Sequence, residues 1–93
     1  MFALRLMLVL ESPQGERPVP QAWLEQFFLR DFTGYRAFDE TLPVADGVVE
    51  ASRAVRPEEA AERLQDWLRS RRLIDRQTRV RVAACRTTAG DEG

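Results

Sequence analysis

The 93-residue chain is 44% hydrophobic and 31% charged, with 14 arginines against 15 acidic residues and a net charge of −1. This is the composition of one soluble globular domain rather than a disordered or membrane-embedded chain. Lys, His and Asn are absent, which removes imidazole bases, His metal ligands, Schiff-base amines and P-loop lysines from the chemistry open to the chain.

The same gaps, with Ile74 as the one isoleucine, fit the coding bias of a GC-rich genome. The opening MFALRLMLVLES is apolar but too short to span a bilayer, carries Arg5 inside the run and lacks a basic leader. A cytoplasmic location is expected, without a membrane partner, and the single Cys85 agrees with a reducing compartment. Charge is uneven. Residues 1–50 hold four Arg against eight acids, and residues 51–90 hold ten Arg against five, a bipolarity suited to steering a partner or pairing with a second copy.

Leu4, Leu6, Leu8 and Leu10, preceded by Phe2, repeat every second residue, which predicts a first strand with an apolar inner face. SPQGERP, 12–18, reads as a loop. Pro20 suits the first turn of a helix of about 11 residues, near the average length, with Trp23, Leu24, Phe27 and Phe28 on its apolar face. TGYRAFDE, 33–40, reads as a second strand, LPVADG as turn material, and Asp46-Gly47 as the best hairpin signal. Val48 to Val55 is expected to form the third strand. Pro57 opens a second helix, Glu58, Glu59 and Glu62 complement its dipole, and Ala60, Ala61, Leu64, Trp67 and Leu68 form its buried stripe. Thr78 to Thr87 reads as the fourth strand, Val80, Val82 and Ala84 alternating with Arg79, Arg81, Ala83 and Cys85. The expected organisation is one domain over 1–88 and a disordered tail over 89–93.

The order strand, helix, strand, strand, helix, strand resembles the ferredoxin-like βαββαβ superfold. The expectation is an α+β two-layer sandwich, a four-stranded antiparallel sheet with two helices on one face. PVPQAWLEQFF, FTGYRAFDE and DGVVEASRAV, in that order, are similar to segments of uncharacterised small bacterial domains of this architecture. The resemblance implies the fold and no activity, since this superfold hosts many functions.

The Arg-rich run LRSRRLIDRQTRVRV, 68–82, divides into parts. Arg69, Arg71 and Arg72 fall in the last turn of the second helix, where cations favour the dipole. Arg63 follows Glu59 by four residues, a favourable helical ion pair. Arg79 and Arg81 take outward positions on the last strand. Arg69, Arg71, Arg72, Arg79 and Arg81 therefore form a candidate surface for a protein partner with an acidic face. Nucleic acid is disfavoured because the central strands offer no aromatic platform for stacking bases. Met7, Val9, Ala83 and Cys85 are expected to form an apolar patch on the uncovered sheet, a homodimer interface.

Catalytic candidates are weak. Cys85 has no histidine to activate it and reads as a small packing residue. Asp39 and Glu40 are adjacent and would point apart on a strand; Asp39 opposite Glu50 is the alternative carboxylate pair. PQGERP has one Gly, too few for a phosphate cradle, and Tyr35 and Ser52 lack a base. No cofactor, metal or catalytic residue is assigned. The sequence thus points to a small non-catalytic interaction domain, such as a regulator or a phage or mobile-element inhibitor that occludes a host protein. RNA binding through the Arg-rich half is the first alternative, and a dimeric carboxylate enzyme the second.

Overall fold

The computed structural model describes residues 3–31 and 36–87. In chain order the elements are β1 (Leu4–Ser12), β2 (Gly15–Pro18), α1 (Gln21–Gln26) with a π-helical continuation (Phe27–Asp31), and the helical turn α2 (Arg36–Asp39). They continue with β3 (Thr41–Ala45), β4 (Val48–Ala51), α3 (Pro57–Ser70) and β5 (Arg79–Thr87). The chain is α+β, with a five-stranded antiparallel sheet. Among the described residues no helix is long and apolar enough to cross a membrane.

β1 organises the sheet. A strand in the middle of a sheet must satisfy backbone groups along both edges, and β5 pairs with one edge of β1 from Leu4 to Glu11. The other edge is divided, β4 pairing with Leu4 to Met7 and β2 with Val9 to Ser12. β3 lies outside β4. Leu8 stands at the division. Its amide donates to the Gly47 carbonyl, and its own carbonyl accepts from Val19 N–H at 3.1 Å.

The helices cover one face of this sheet. Leu6, Leu8, Leu10, Val49, Ala51 and Val80 join Leu24, Phe27, Phe28, Phe38, Ala60, Leu64, Trp67 and Leu68 in one core cluster. Phe27 meets Phe28 edge-on at 4.7 Å and Trp67 at 5.6 Å, while Phe28 meets Phe38 at 5.3 Å, geometries that aromatic quadrupoles favour. Pro20 offers no side-chain cap to α1. Instead the Asp46 Oδ1 accepts from the Gln21 amide at 3.0 Å, so the β3–β4 turn caps a distant helix.

Several sequence expectations are corrected. Gly15–Pro18, read as loop, is β2, because the unpaired half of β1's second edge demands a partner. The second strand does not lie in 33–40. Arg36–Asp39 is helical, which buries Phe38 against the other aromatics, and the strand comes later at Thr41–Ala45. Pro43 is tolerated there because β3 is an edge strand. The third strand stops at Ala51, where Ser52 Oγ accepts from the Ala54 amide at 3.2 Å and turns the chain. The first helix has its expected span, but its second half is π-helical. Phe2, Thr33 to Tyr35 and the tail 89–93 lie outside the described residues. The Asp46-Gly47 turn, α3 with Pro57 in its first turn, and its buried stripe stand as read.

Gly47 is held at φ +80°, and a Cβ there would lie 2.8 Å from the Leu8 carbonyl oxygen and 2.9 Å from Pro18 Cβ. Both the left-handed backbone and the backbone contact oppose a side chain. Gly47→Ala is expected to lower unfolding stability by about 2 kcal/mol or more, of which the left-handed backbone supplies about 1–2. The urea midpoint would fall at an unchanged slope.

Candidate protein-binding face

The face of the sheet away from the helices is set by register, since residues directly opposite on neighbouring strands share a face. With Leu6, Leu8 and Leu10 inward, Arg5, Met7, Val9 and Glu11 of β1 point outward. Leu42, Glu50 and Arg86 align with Arg5. Val48 and Ala84 align with Met7, Pro18 and Arg81 with Val9, and Glu16 and Arg79 with Glu11.

One end of this face is closed by its own charges. Arg79 pairs with Glu11 at 2.9 Å, and Arg81 with Glu11 at 3.4 Å and with Glu16 across the sheet. The Arg81–Glu16 link runs over β1, and Val9 beside it is only 4% exposed while lying outside the core cluster. The hydrogen bond to Glu16 holds the Arg81 guanidinium above its ordinary pKa. The other end is open. Arg5, Met7, Val48, Ala84 and Arg86 line a shallow apolar cleft of about 200 Å³, with Glu50 bound to Arg5 at 2.5 Å and Leu42 41% exposed at its rim.

The expected apolar patch is therefore redrawn. A β-bulge between Met7 and Leu8 leaves Ala83 as the extra residue of β5 and reverses the alternation beyond it. Cys85 then stands opposite Leu6, on the helix side of the sheet, and is exposed. Ala84 takes its place beside Met7. Val9 is shielded within the protomer. Of the four patch residues, Met7 alone lines the open cleft, and Val48, Ala84 and Arg86, with Glu50 beside them, are the ones sequence reasoning missed. The pairing of Val48 with Met7 was readable only in outline, from the hairpin at Asp46-Gly47.

The candidate arginines do not form one surface. Arg69 donates to the carbonyls of Arg76 and Thr78 at 3.2 and 3.0 Å, closing the loop that leads into β5. Arg71 pairs with Asp31 and lies 4.7 Å over the Trp67 ring, whose Nε1–H donates to the same carboxylate at 2.7 Å. This trio ties the π-helical turn to α3. Arg72 follows the C-cap Arg71 at φ +59°, with Leu73 N–H bonded to the Leu68 carbonyl and Arg72 N–H to that of Arg69. Those two bonds are a Schellman motif, in which glycine is the usual residue at this position. Arg79 and Arg81 belong to the sheet face. The Arg63–Glu59 helical pair forms at 2.9 Å as expected.

The catalytic candidates are likewise dispersed. Asp39 lies in α2 rather than on a strand, so no register places it opposite Glu50, whose β3 partner is Leu42. Ser52 is buried and serves its own turn. No group of His, Cys, Asp or Glu side chains suited to a metal ion occurs among the described residues.

No family model, curated protein or solved structure matches the chain. The arginine geometry yields a sharp contrast between neighbours. Arg69→Gln is expected to destabilise by about 1.5–3 kcal/mol through its lost charged hydrogen bonds. Arg72→Gly is expected to stabilise by about 0.5–1 kcal/mol by relieving the left-handed backbone. Thermal and urea denaturation of the two variants check both signs. Asp75, whose carboxylate accepts from the Thr78 hydroxyl at 2.8 Å and from the Gln77 amide at 3.0 Å, is held below the usual carboxylate range. Its lowered folded pKa means that its contribution is present at neutral pH and lost as pH falls through that value. Carboxyl-carbon NMR titration should show a midpoint below that of the unfolded chain, and Thr78→Val should raise it.

Proposed function

We propose that the chain is a small non-catalytic protein-interaction domain whose working surface is the open end of the outer sheet face. The fold is read as a ferredoxin-like arrangement carrying an added hairpin strand. Leaving β2 aside, the strands run β5-β1-β4-β3, with α1 between β1 and β3 and α3 between β4 and β5. The single observation that carries the functional reading is the apolar row Met7, Val48 and Ala84, left uncovered by the fold and flanked by Arg5, Arg86 and Glu50. An uncovered apolar strip with a charged rim has the anatomy of a protein contact. A regulator or inhibitor that occludes part of its partner uses such a surface without chemistry of its own.

Nucleic acid is the weaker reading. Arg71, Arg79 and Arg81 have intramolecular carboxylate partners, and Arg69 is spent on loop carbonyls. The aligned rows of the outer face contain no aromatic side chain for stacking.

Two measurements test the proposal. A photo-crosslinking residue at Met7 is expected to give a discrete protein adduct in cells, lost on Val48→Glu, while the same probe at Glu62 on α3 gives none. Equal labelling from both positions, or labelling indifferent to Val48→Glu, would reject the face. Binding to a random single-stranded oligonucleotide at physiological salt is expected to be absent. Affinity falling by roughly 0.7 log units per phosphate contact for each tenfold rise in salt would mark the opposite.

A further inference from the structure

Resting on the open sheet face as the contact surface, we infer that its occupant is a second copy of this chain, related by a two-fold axis running along β1. The face is antisymmetric in charge about that strand. On the β5 flank stand Arg79, Arg81 and Arg86, and on the opposite flank stand Glu16 of β2 and Glu50 of β4. Between them, Met7 and Val9 lie on β1 itself, where Arg5 and Glu11 balance each other.

A two-fold axis parallel to β1 keeps each row over its own row and exchanges the flanks. Arg86 then faces Glu50 of the second copy, Ala84 faces Val48, Met7 faces Met7, and Arg79 faces Glu16. The Arg86–Glu50 and Arg79–Glu16 contacts are each made twice, because an isologous interface repeats each contact, while Arg5 and Glu11 on the axis meet their own copies with their charges already paired to Glu50 and Arg79. An axis across the strands would instead keep each flank over itself and set the β5 arginines of the two copies against one another. Two sheets packed with nearly aligned strands are an ordinary arrangement.

The outward side of α3 and parts of the sheet edges suit self-pairing less. The outward side of α3 carries Glu58, Glu62 and Asp66 at successive turns, all exposed, so two copies repel there. The sheet edges are blunted in part. β3 has Pro43 and a bulge, and β2 is short and ends in Pro18. On β5, Gln65 Oε1 takes the Val80 amide at 3.0 Å, and Arg69 takes the Thr78 carbonyl.

The face is small. Four strands about 4.8 Å apart and eight residues of about 3.3 Å each give about 500 Å² per copy. The pair buries about 1,000 Å² in total, the lower end of specific interfaces. The dimer is thus a dissociating one, populated in the micromolar range.

Sedimentation of the whole chain across micromolar concentrations is expected to show mass rising from one protomer toward two. Met7→Glu, which sets two charges against each other on the axis, should leave a folded monomer throughout. Arg86→Glu should weaken association at least tenfold, with circular dichroism unchanged. Register is read by disulfides in a Cys85→Ser background: Met7→Cys should crosslink to itself, and Val48→Cys to Ala84→Cys in a mixture but not to itself. A wild-type chain that is monomeric at every concentration overturns the inference, as does a Val48→Cys variant that crosslinks to itself as readily as Met7→Cys. A monomer still labelled through Met7 by another protein, in a manner lost on Val48→Glu, would leave the contact surface standing and remove only the second copy. A dimer indifferent to both Met7→Glu and Arg86→Glu would remove both.

Discussion

The structure depends on how one edge of β1 is shared. A single strand pairs there with β4 over Leu4 to Met7 and with β2 over Val9 to Ser12, and Leu8 bonds to neither strand but to Gly47 and Val19 between them. This junction admits no side chain at Gly47. It also coincides with the bulge that β5 makes on the other edge, between Met7 and Leu8. Both edges of the strand thus change register at one level, and the outer face is divided there into a charged, self-paired end and an apolar, open one.

From that division follows the allocation of the arginines. Those below the junction, Arg79 and Arg81, neutralise Glu11 and Glu16 and shelter Val9. At the end of α3, Arg71 is engaged by Asp31 with Trp67 and Arg69 by loop carbonyls, while Arg72 shapes the helix terminus through its backbone. Exposed ion pairs contribute little stability individually. Their larger consequence is to occupy side chains that a basic run would otherwise offer to a polyanion. Arg86 and the Arg5–Glu50 pair remain beside the apolar row, where charge can set the orientation of a partner.

The core rests on a separate arrangement. Phe27, Phe28, Phe38 and Trp67 interlock three helical segments that carry few residues each apart from α3. The π-helical turn sets Phe27 and Phe28 inward together and brings Asp31 to Trp67 and Arg71. Such a turn has no periodic signature in sequence, since its apolar positions also satisfy an α-helical stripe.

What the sequence determined by itself was local. The leucine alternation of β1, the Pro-initiated α3 with its buried stripe, the Glu59–Arg63 pair and the Asp46-Gly47 turn each arise from spacing within a few residues. Tertiary structure decided the rest. GERP became a strand because β1 had an unpaired edge, and RAFD became helical because Phe38 is buried among other rings. The candidate face shows the same limit. Alternation assigns Cys85 and Ala83 to it, but one extra residue in β5 substitutes Ala84, and Arg81 withdraws Val9. A period of two fixes a side chain's face only while register is unbroken, and register is a property of the paired strands, not of either one.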